Sequence, residues 1–373
     1  MDERQQQQAY LLLLEKYNAA PEHALLAGGI EDWEGVVPDN VDRYGFVDTK
    51  QQQQEQYRYR HRPLRSLLGS KGITRTAPAA VRTRTISPDE EVRRERKRES
   101  KWTAMAVRSN SSFTFDIRSL KLRSRTVKGV PDAWRAAAWA SFVGLDSRTN
   151  NSMSRLYSEY LSRASPADSQ VDLDVPRTAG KHVMFSARYG GGQRLLFRVL
   201  HAFSLHRADV GYVQGMAALG ATLLCYFDES TAFAMLVLLF DKRHMDVLYA
   251  HGFGGLVAAL DDLSTALEKR RVGKALVKLG IEPMVYATKW YLTLFNYAVP
   301  FATQVRIWDL FLLIGDLKVL HAAAIALLDA MGDDLAVDDF ESAMTRLSRV
   351  VEIKDVDLYM KIVEYEYNTL LQD

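Results

Sequence analysis

The chain has 373 residues, 47% of them hydrophobic and 25% charged, and its formal net charge is only +2. This composition is typical of soluble globular proteins, and the length allows two or three domains. It argues against a membrane-spanning class, because the longest apolar run, from Ala232 to Phe240, falls far short of the ~20 residues that a transmembrane helix needs.

The charge is concentrated in one part of the chain. Between Lys50 and Lys128 there are 21 basic and 7 acidic residues, whereas the rest of the chain carries 27 basic and 39 acidic ones. A basic segment is therefore attached to an acidic body. Composition and pattern together divide the chain into an N-terminal region (residues 1–50), a basic linker (51–126) and a helical body (127–368).

The N-terminal region, residues 1–50, is predicted to be partly ordered. The stretch Gln8–Ile30 has the spacing of a short amphipathic helix, and turn-forming residues with scattered aromatics follow it. The start of this region differs from a secretory signal peptide, because its apolar run is short and its first residues carry mixed charge.

The linker, residues 51–126, is predicted to be largely disordered. Large apolar side chains are sparse between Gln51 and Lys101, so burial would not offset the conformational entropy lost on ordering. Its stretch Glu90–Trp102 has the composition of a charged helix. Ser87 lies in a basic Ser-Pro string that resembles a phosphorylation site, although such strings are common in disordered segments.

The basic charge of the linker raises the question of a partner. Residues 58–101 have the composition of segments that bind anionic membrane surfaces. A solvated linker without a partner explains the same charge. Nucleic acid is not expected, because no platform of interleaved aromatic and basic residues accompanies the charge.

The body is predicted to be all-α. From residue 127 onward, successive stretches have apolar residues at helical spacing, separated by short turns, and period-two runs are few. The fold class is therefore an all-α, multi-helix domain preceded by a largely irregular, basic N-terminal region.

Two short stretches of the body carry the candidate functional residues. The first contains Asp174, Arg177 and Thr178, and the second runs from Gly211 to Gly215 around Tyr212 and Gln214. Taken singly, each has a simpler explanation, because Asp174 can cap a helix and Arg177 can be a solvated surface residue. Their order along the chain is more specific than either stretch alone.

The motifs together resemble those of the TBC domain family, whose members activate Rab GTPases. The family's Gly-Ile-Pro element and the Arg and Trp after it are matched by Gly129, Val130, Pro131, Arg135 and Trp139. Its IxxDxxR motif is matched by Val171, Asp174 and Arg177, followed by Thr178, and its YxQ motif by Tyr212, Val213 and Gln214. The resemblance covers the chain from Val127 to Glu366.

This resemblance implies a GTPase-activating protein that regulates vesicle trafficking. In that family the arginine and the glutamine of these motifs enter the bound GTPase, so Arg177 and Gln214 are the predicted catalytic pair. Asp174 would hold Arg177 by a charge-assisted hydrogen bond, and Tyr212 would pack beneath the loop that carries Arg177 or beneath the switch segment of the GTPase. The other predicted supporting residues are Gly211, Gly215, Thr178 and Arg135. The implied partner is a Rab-family small GTPase that carries GTP and Mg²⁺, so the chain itself needs no cofactor.

The residue types agree with that chemistry. GTP hydrolysis spreads negative charge over the γ-phosphoryl oxygens, so catalysis depends mainly on positioning and electrostatic stabilisation. Arginine is always charged and binds phosphate with two parallel donors, which lysine cannot do. A glutamine amide accepts one hydrogen bond while donating another, which suits a residue that orients the attacking water.

The chain also departs from the family pattern. The family usually has Pro-Leu-Phe after its histidine, where this chain has His182 followed by Val183, Met184 and Phe185. Ala217, Ala234 and the pair Arg207 and Ala208 stand where the family usually has Asn, Trp and Asn-Pro. The departures at Ala217 and Ala234 leave open a catalytically silent TBC scaffold. The basic segment leaves open a membrane-trafficking adaptor that binds a GTPase, in which the basic segment is the working part and the TBC body is structural.

No metal site is predicted, because the histidines are scattered and the chain has a single cysteine. That cysteine, Cys225, cannot form an intramolecular disulfide, which fits a reducing compartment. We therefore expect a cytoplasmic protein, peripheral on endomembranes if the basic segment contacts lipid.

Overall fold

The computed structural model describes residues 3–19, 41–47, 88–109 and 112–372. The helices of this part of the chain are α1 (Glu3–Asn18), α2 (Pro88–Thr103), α3 (Leu120–Lys128), α4 (Asp132–Val143), α5 (Ser147–Tyr160), α6 (Asp168–Asp174), α7 (Gly191–His206), α8 (Met216–Leu224), α9 (Glu229–Arg243), α10 (Met245–Tyr249), α11 (Gly254–Leu267), α12 (Arg271–Lys278), α13 (Pro283–Leu292), α14 (Phe301–Ile314), α15 (Lys318–Ala330), α16 (Gly332–Leu335), α17 (Phe340–Ser348) and α18 (Val356–Leu370).

Strand structure is minor in the described residues. Two strands, β1 (Val107–Ser109) and β2 (Ser112–Thr114), pair antiparallel with Val107 opposite Thr114. Short 3₁₀ turns occupy Val175–Arg177 and His251–Phe253. The prediction of an all-α body is confirmed.

Four helices form the centre of the molecule. Every residue of α8 is buried, and α9, α14 and α15 are buried over most of their lengths. A helix that is apolar on all sides is stable only when neighbours cover it. Accordingly α9 packs against α5, α7 and α8, while α15 lies between α14 and α18. No helix in the described ranges is both long enough and apolar enough to cross a bilayer.

The segment that we expected to be a basic linker is folded over its described part. Helix α2 is joined to the body because the Trp102 indole, 1% exposed, donates to the Gly129 carbonyl at 3.1 Å. Arg98 pairs with Asp357 of α18 at 2.7 Å. Phe115 and Leu122 are also buried. A few buried apolar residues and the ion pair between Arg98 and Asp357 therefore order a stretch whose average composition predicts disorder.

The N-terminal region contributes two described pieces. Helix α1 packs on α7, with Tyr10 and Tyr17 almost fully buried. The Tyr10 hydroxyl donates to the Leu161 carbonyl at 2.8 Å. The second piece, residues 41–47, lies against the segment after Arg177. Residues 20–40 and 48–87 lie outside the described residues, and with them Ser87, about half of the predicted linker and most of the predicted membrane-contact segment.

Candidate functional site

The first loop of the site begins where α6 ends. Val171 and Val175 are fully buried and fix this end of the helix to the core. The chain then tightens into a 3₁₀ turn, in which the Thr178 hydroxyl donates to the Asp174 carbonyl at 2.9 Å. That bond satisfies a carbonyl at the helix end. Arg177 is exposed at the outer side of this turn and has no hydrogen bond or ion pair with any described residue.

The second loop, Gly211–Gly215, precedes α8 and is bent by two glycines. Gly211 has φ +67° and Gly215 has φ +108°, conformations that glycine adopts without steric cost. The Val213 N–H is 3.3 Å from the sulfur of Met216, which is fully buried at the start of α8. Gln214 is exposed between the two glycines, and its side chain contacts no polar partner in the described part of the chain.

A single hydrogen bond joins the two loops. The Tyr212 hydroxyl donates to Asp174 Oδ2 at 2.9 Å, and Gln170 approaches the same oxygen at 3.4 Å. Burial and the neighbouring Asp174 carboxylate raise the pKa of Tyr212, so its hydroxyl remains a donor at neutral pH. The expected bond between Asp174 and Arg177 is not formed, because the Asp174 carboxylate is 7% exposed and is turned toward Tyr212.

The structure adds a residue that the sequence did not single out. Tyr297, in the turn after α13, lies close enough to the Thr178 side chain and the Ala179 backbone to interact with both, and burial raises the pKa of its phenol. Ala179 has φ +49°, an uncommon conformation for a residue with a side chain. Tyr297 thus packs against the end of the first loop, at Thr178 and Ala179. No local motif marks it, because it lies more than a hundred residues away in sequence.

Arg135, a predicted supporting residue, lies in a separate buried network. Its Nε donates to Asp309 Oδ1 at 3.1 Å and its Nη2 to the Val130 carbonyl at 2.7 Å. It also pairs with Asp132. The Trp139 indole donates to the same Asp309 oxygen at 2.8 Å. The structure therefore brings together Asp174, Tyr212, Thr178 and the two loops, and assigns Arg135 to the joint between α4 and α14.

The arrangement has a clear chemical character. A permanently charged guanidinium and a neutral amide, both exposed, lie on two loops that are joined by the part-buried hydrogen bond between Tyr212 and Asp174. In the described residues no group of three or more His, Cys, Asp and Glu side chains is placed to hold a metal ion. Such a pair suits recognition of an anionic group that another molecule presents.

The sequence model of the Rab-GTPase-TBC domain family matches residues 132–336, more than half of the chain. The chain belongs to this family. The two loops lie within the matched range, whereas α1, residues 41–47, α2 and α3 precede it. The assignment from the motifs is thereby confirmed.

Several relatives and two solved structures are similar to this family member. A TBC domain-containing protein of Schizosaccharomyces pombe is 44% identical over 271 residues, which cover 70% of this chain and 65% of that protein. TBC1 domain family member 10B of Mus musculus is 32% identical, over 62% of this chain and 29% of that protein. A Rab GTPase-activating protein of Caenorhabditis elegans is 32% identical, over 61% of this chain and 25% of that protein. The chain thus spans less than two thirds of the length of each of these relatives.

The solved structures agree in fold. The Ypt/Rab-GAP domain of Gyp1p matches with a TM-score of 0.64 at 17% identity, over 74% of this chain and 99% of that chain. The Chlamydomonas flagellar RabGAP TBC domain matches with a TM-score of 0.56 at 23% identity, over 76% of this chain and 96% of that chain. At such identities the likeness is one of fold.

Proposed function

We propose that this TBC protein is a GTPase-activating protein for a Rab-family small GTPase, and that Arg177 and Gln214 act together on the partner's GTP. The observation that carries the proposal is the 2.9 Å bond between Tyr212 and Asp174, which couples the two loops beneath their exposed tips. Membership of the family and the similarity to relatives that include a Rab GTPase-activating protein of Caenorhabditis elegans support the same activity.

Arg177 would stabilise charge on the phosphoryl group. In hydrolysis, water attacks the γ-phosphorus, the bond to the β–γ bridging oxygen breaks, and GDP and phosphate are released, with charge spread over the γ-oxygens. Arg177 has no partner among the described residues, so no internal ion pair has to break before it binds phosphate. Its planar guanidinium offers two parallel donors to phosphate oxygens.

Gln214 would orient the attacking water. Its amide oxygen accepts a hydrogen bond from the water while the amide nitrogen donates to a phosphate or backbone oxygen. The positive φ angles of Gly211 and Gly215 hold the loop in a sharply bent path, which keeps Gln214 exposed beside the first loop. GTP and Mg²⁺ would be carried by the GTPase, so this chain would need no cofactor of its own.

The proposal is tested by single-turnover GTP hydrolysis with a panel of Rab proteins. Wild type is compared with Arg177→Ala, Gln214→Ala and the double variant, and Arg155→Ala, an exposed arginine on α5, is the matched control. We expect wild type and control to accelerate one Rab, and the loop variants to lose most of that gain. Acceleration that survives both substitutions would refute the dual-residue mechanism. No acceleration of any Rab would favour a silent scaffold.

We propose further that the protein is cytoplasmic and that its basic segment 58–101 contacts anionic membrane, which would place it at endomembrane surfaces. In its described part, α2 has exposed basic residues at Arg93, Arg96, Lys97 and Lys101. These residues share an outer face, whereas Arg98 is engaged with Asp357 of the body. Polybasic surfaces bind anionic lipid by about 1 kcal/mol for each Lys or Arg near the membrane.

Liposome sedimentation of the full chain tests this contact. Arg93→Glu with Lys97→Glu should weaken binding to phosphatidylserine vesicles, because it reverses charge on the outer face of α2. Lys274→Glu with Lys278→Glu makes the same change at the same spacing on α12 and is the control. Equal effects of the two pairs, or equal binding to neutral vesicles, would show that α2 is not the contact.

A further inference from the structure

Residues Val41–Val47 form a compact element that we call the hook. Val41 and Val47 form an antiparallel bridge, and the Gly45 N–H donates to the Asp42 carbonyl at 3.0 Å. The Asp42 carboxylate accepts from the backbone N–H of Phe46 at 2.9 Å. The hook is therefore closed by its own hydrogen bonds.

The hook binds the backbone of the chain just beyond the first loop of the site. The Val47 N–H donates to the Lys181 carbonyl at 2.8 Å, and the Val183 N–H donates to the Gly45 carbonyl at 2.9 Å. Both bonds are made by peptide groups on either side of His182. A proline at position 183 would have no N–H to offer.

His182 is held by the same element through its side chain. Its Nε2 lies 2.7 Å from the Tyr44 carbonyl, which can only accept, so Nε2 carries the proton. Its Nδ1 then accepts from the Met184 N–H at 3.2 Å. Gly45 fits closely over the ring: it has φ +92°, and an added Cβ would lie 2.5 Å from the His182 Nε2 atom.

Aromatic contacts fix the hook to the body. The ring of Phe46 lies edge-on to His182 at 4.9 Å between centroids and 5.1 Å from Phe301 at the start of α14. Tyr44 lies 5.2 Å from the same Phe301 ring. The hook therefore links the segment around His182 to one of the central helices.

Only a short, constrained path separates this contact from Arg177. The His182 N–H donates to the Ala179 carbonyl at 2.8 Å, which closes the turn between them. Thr178, directly after Arg177, is bonded back to the Asp174 carbonyl at 2.9 Å, which closes the turn that contains Arg177. Arg177 is thus the exposed tip of a loop fixed at one end by α6 and at the other by the hook.

We propose that the hook is a positioning element for Arg177, which holds the guanidinium where a bound GTPase presents its phosphate. This inference rests on the proposed function. It assigns a role to residues that precede the family match at 132. Helix α1 supports the same segment from the other side, because the Tyr17 hydroxyl donates to Asp172 of α6 at 2.8 Å.

The test uses full-length variants that loosen the hook without touching Arg177. Phe46→Ala removes the ring between His182 and Phe301, and its control is Phe113→Ala, which removes a similar edge-on ring from Trp134. Val183→Pro removes the N–H that binds Gly45, and Val183→Leu keeps it. The readouts are amide hydrogen exchange over residues 178–186 and the kcat and KM of GTPase activation.

We expect amide hydrogens over residues 178–186 to exchange faster in Phe46→Ala and Val183→Pro than in wild type. In both variants kcat should fall about 10- to 100-fold, because a small misplacement of a catalytic group costs that much. KM should change less than about threefold. The controls Phe113→Ala and Val183→Leu should resemble wild type, as should Phe46→Tyr, which keeps the aromatic ring. In an Arg177→Ala background, Phe46→Ala should cause no further loss of kcat.

Three results separate the possibilities. An active wild type whose hook variants keep full kcat would overturn the inference and leave the proposed function standing. Unchanged exchange over 178–186 in both variants would also overturn it, because the hook would then not restrain the loop. A wild type that activates no Rab would overturn the proposed function, and the catalytic role of the hook with it.

Discussion

Arg135 and Arg177 lie in regions of opposite character. The Arg135 side chain is 3% exposed between α4 and α14 and is bonded to Asp309, which is fully buried. Arg177 is exposed at the tip of a loop and has no partner in the described part of the chain. Arg135, whose donors are engaged within the protein, therefore serves the fold, whereas Arg177, which has no described partner, is available to another molecule.

The same contrast holds for the acidic residues beside them. Asp309 accepts hydrogen bonds from both Arg135 and Trp139, so its charge is compensated within the core. Asp174 accepts from the hydroxyl of Tyr212 and does not bind Arg177. In one region the carboxylate neutralises the arginine, and in the other it leaves the arginine free while joining two loops.

The largest expected effect concerns Arg177. Arg177→Lys keeps a positive charge but removes the paired donors, so we expect it to lose most of the acceleration, which for an arginine supplied in trans is about 10³ to 10⁵-fold. The thermal midpoint should not change, because the exposed side chain has no described partner. Single-turnover hydrolysis and thermal unfolding measure the two quantities. A Lys variant with wild-type activity would mean that charge alone suffices.

The second-largest expected effect is a loss of stability when Arg135 is removed from its buried network. Arg135→Ala leaves Asp309 buried without its ion pair, which costs about 3–5 kcal/mol of unfolding free energy. Urea unfolding measures it, with Arg155→Ala as the exposed control. Adding Asp309→Asn should recover part of the loss, since it removes the unpaired charge. A loss below about 1 kcal/mol would show that the network is not essential to stability.

A smaller effect is expected where the two loops meet. Tyr212→Phe leaves the buried Asp174 oxygen without its best donor, at a cost of about 1–3 kcal/mol. It should also lower kcat, because the loops are then less firmly coupled. Tyr365→Phe, on an exposed side chain of α18, is the control for both stability and rate. If kcat stays at the wild-type value while stability falls, the bond supports the fold alone.

The smallest effect is a pH dependence at His182. Burial lowers the pKa of His182 from its ordinary 6.5, and the hydrogen bond to the Tyr44 carbonyl and the charge of Asp42 oppose the shift. The unfolded chain therefore binds the proton more readily, and stability falls as pH drops from about 6.5 toward the folded pKa. We expect about 1 kcal/mol or less between about pH 7.5 and about pH 5.5.

His182→Gln is the matched variant for that measurement. Its amide retains a donor for the Tyr44 carbonyl but does not titrate. His206 and His321, whose pKa values burial also lowers, titrate in both proteins, so their contributions cancel in the comparison. Equal pH dependence in the two proteins would show that His182 does not contribute.

The prediction from sequence succeeded where the information is local. The apolar spacing of the body predicts its helices, because burial of one or all faces follows directly from the pattern. The ordered motifs around Arg177 and Gln214 identify the family, which the match to residues 132–336 confirms. The charged helix expected over Glu90–Trp102 is present as α2, but the sequence did not show that anchors such as Trp102 attach it to the body.

The sequence by itself determined the all-α class, the family and the identity of the exposed arginine and glutamine, since each is encoded in residues close together along the chain. Only the tertiary structure decided that Asp174 binds Tyr212 rather than Arg177, that Arg135 belongs to a buried network with Asp309, and that residues 41–47 bind beside His182. The partners in these contacts are far apart along the chain: the separation is 38 positions for Tyr212 and Asp174, 174 positions for Arg135 and Asp309, and 138 positions for Tyr44 and His182. Their partners are selected by how whole helices pack, which no local pattern specifies.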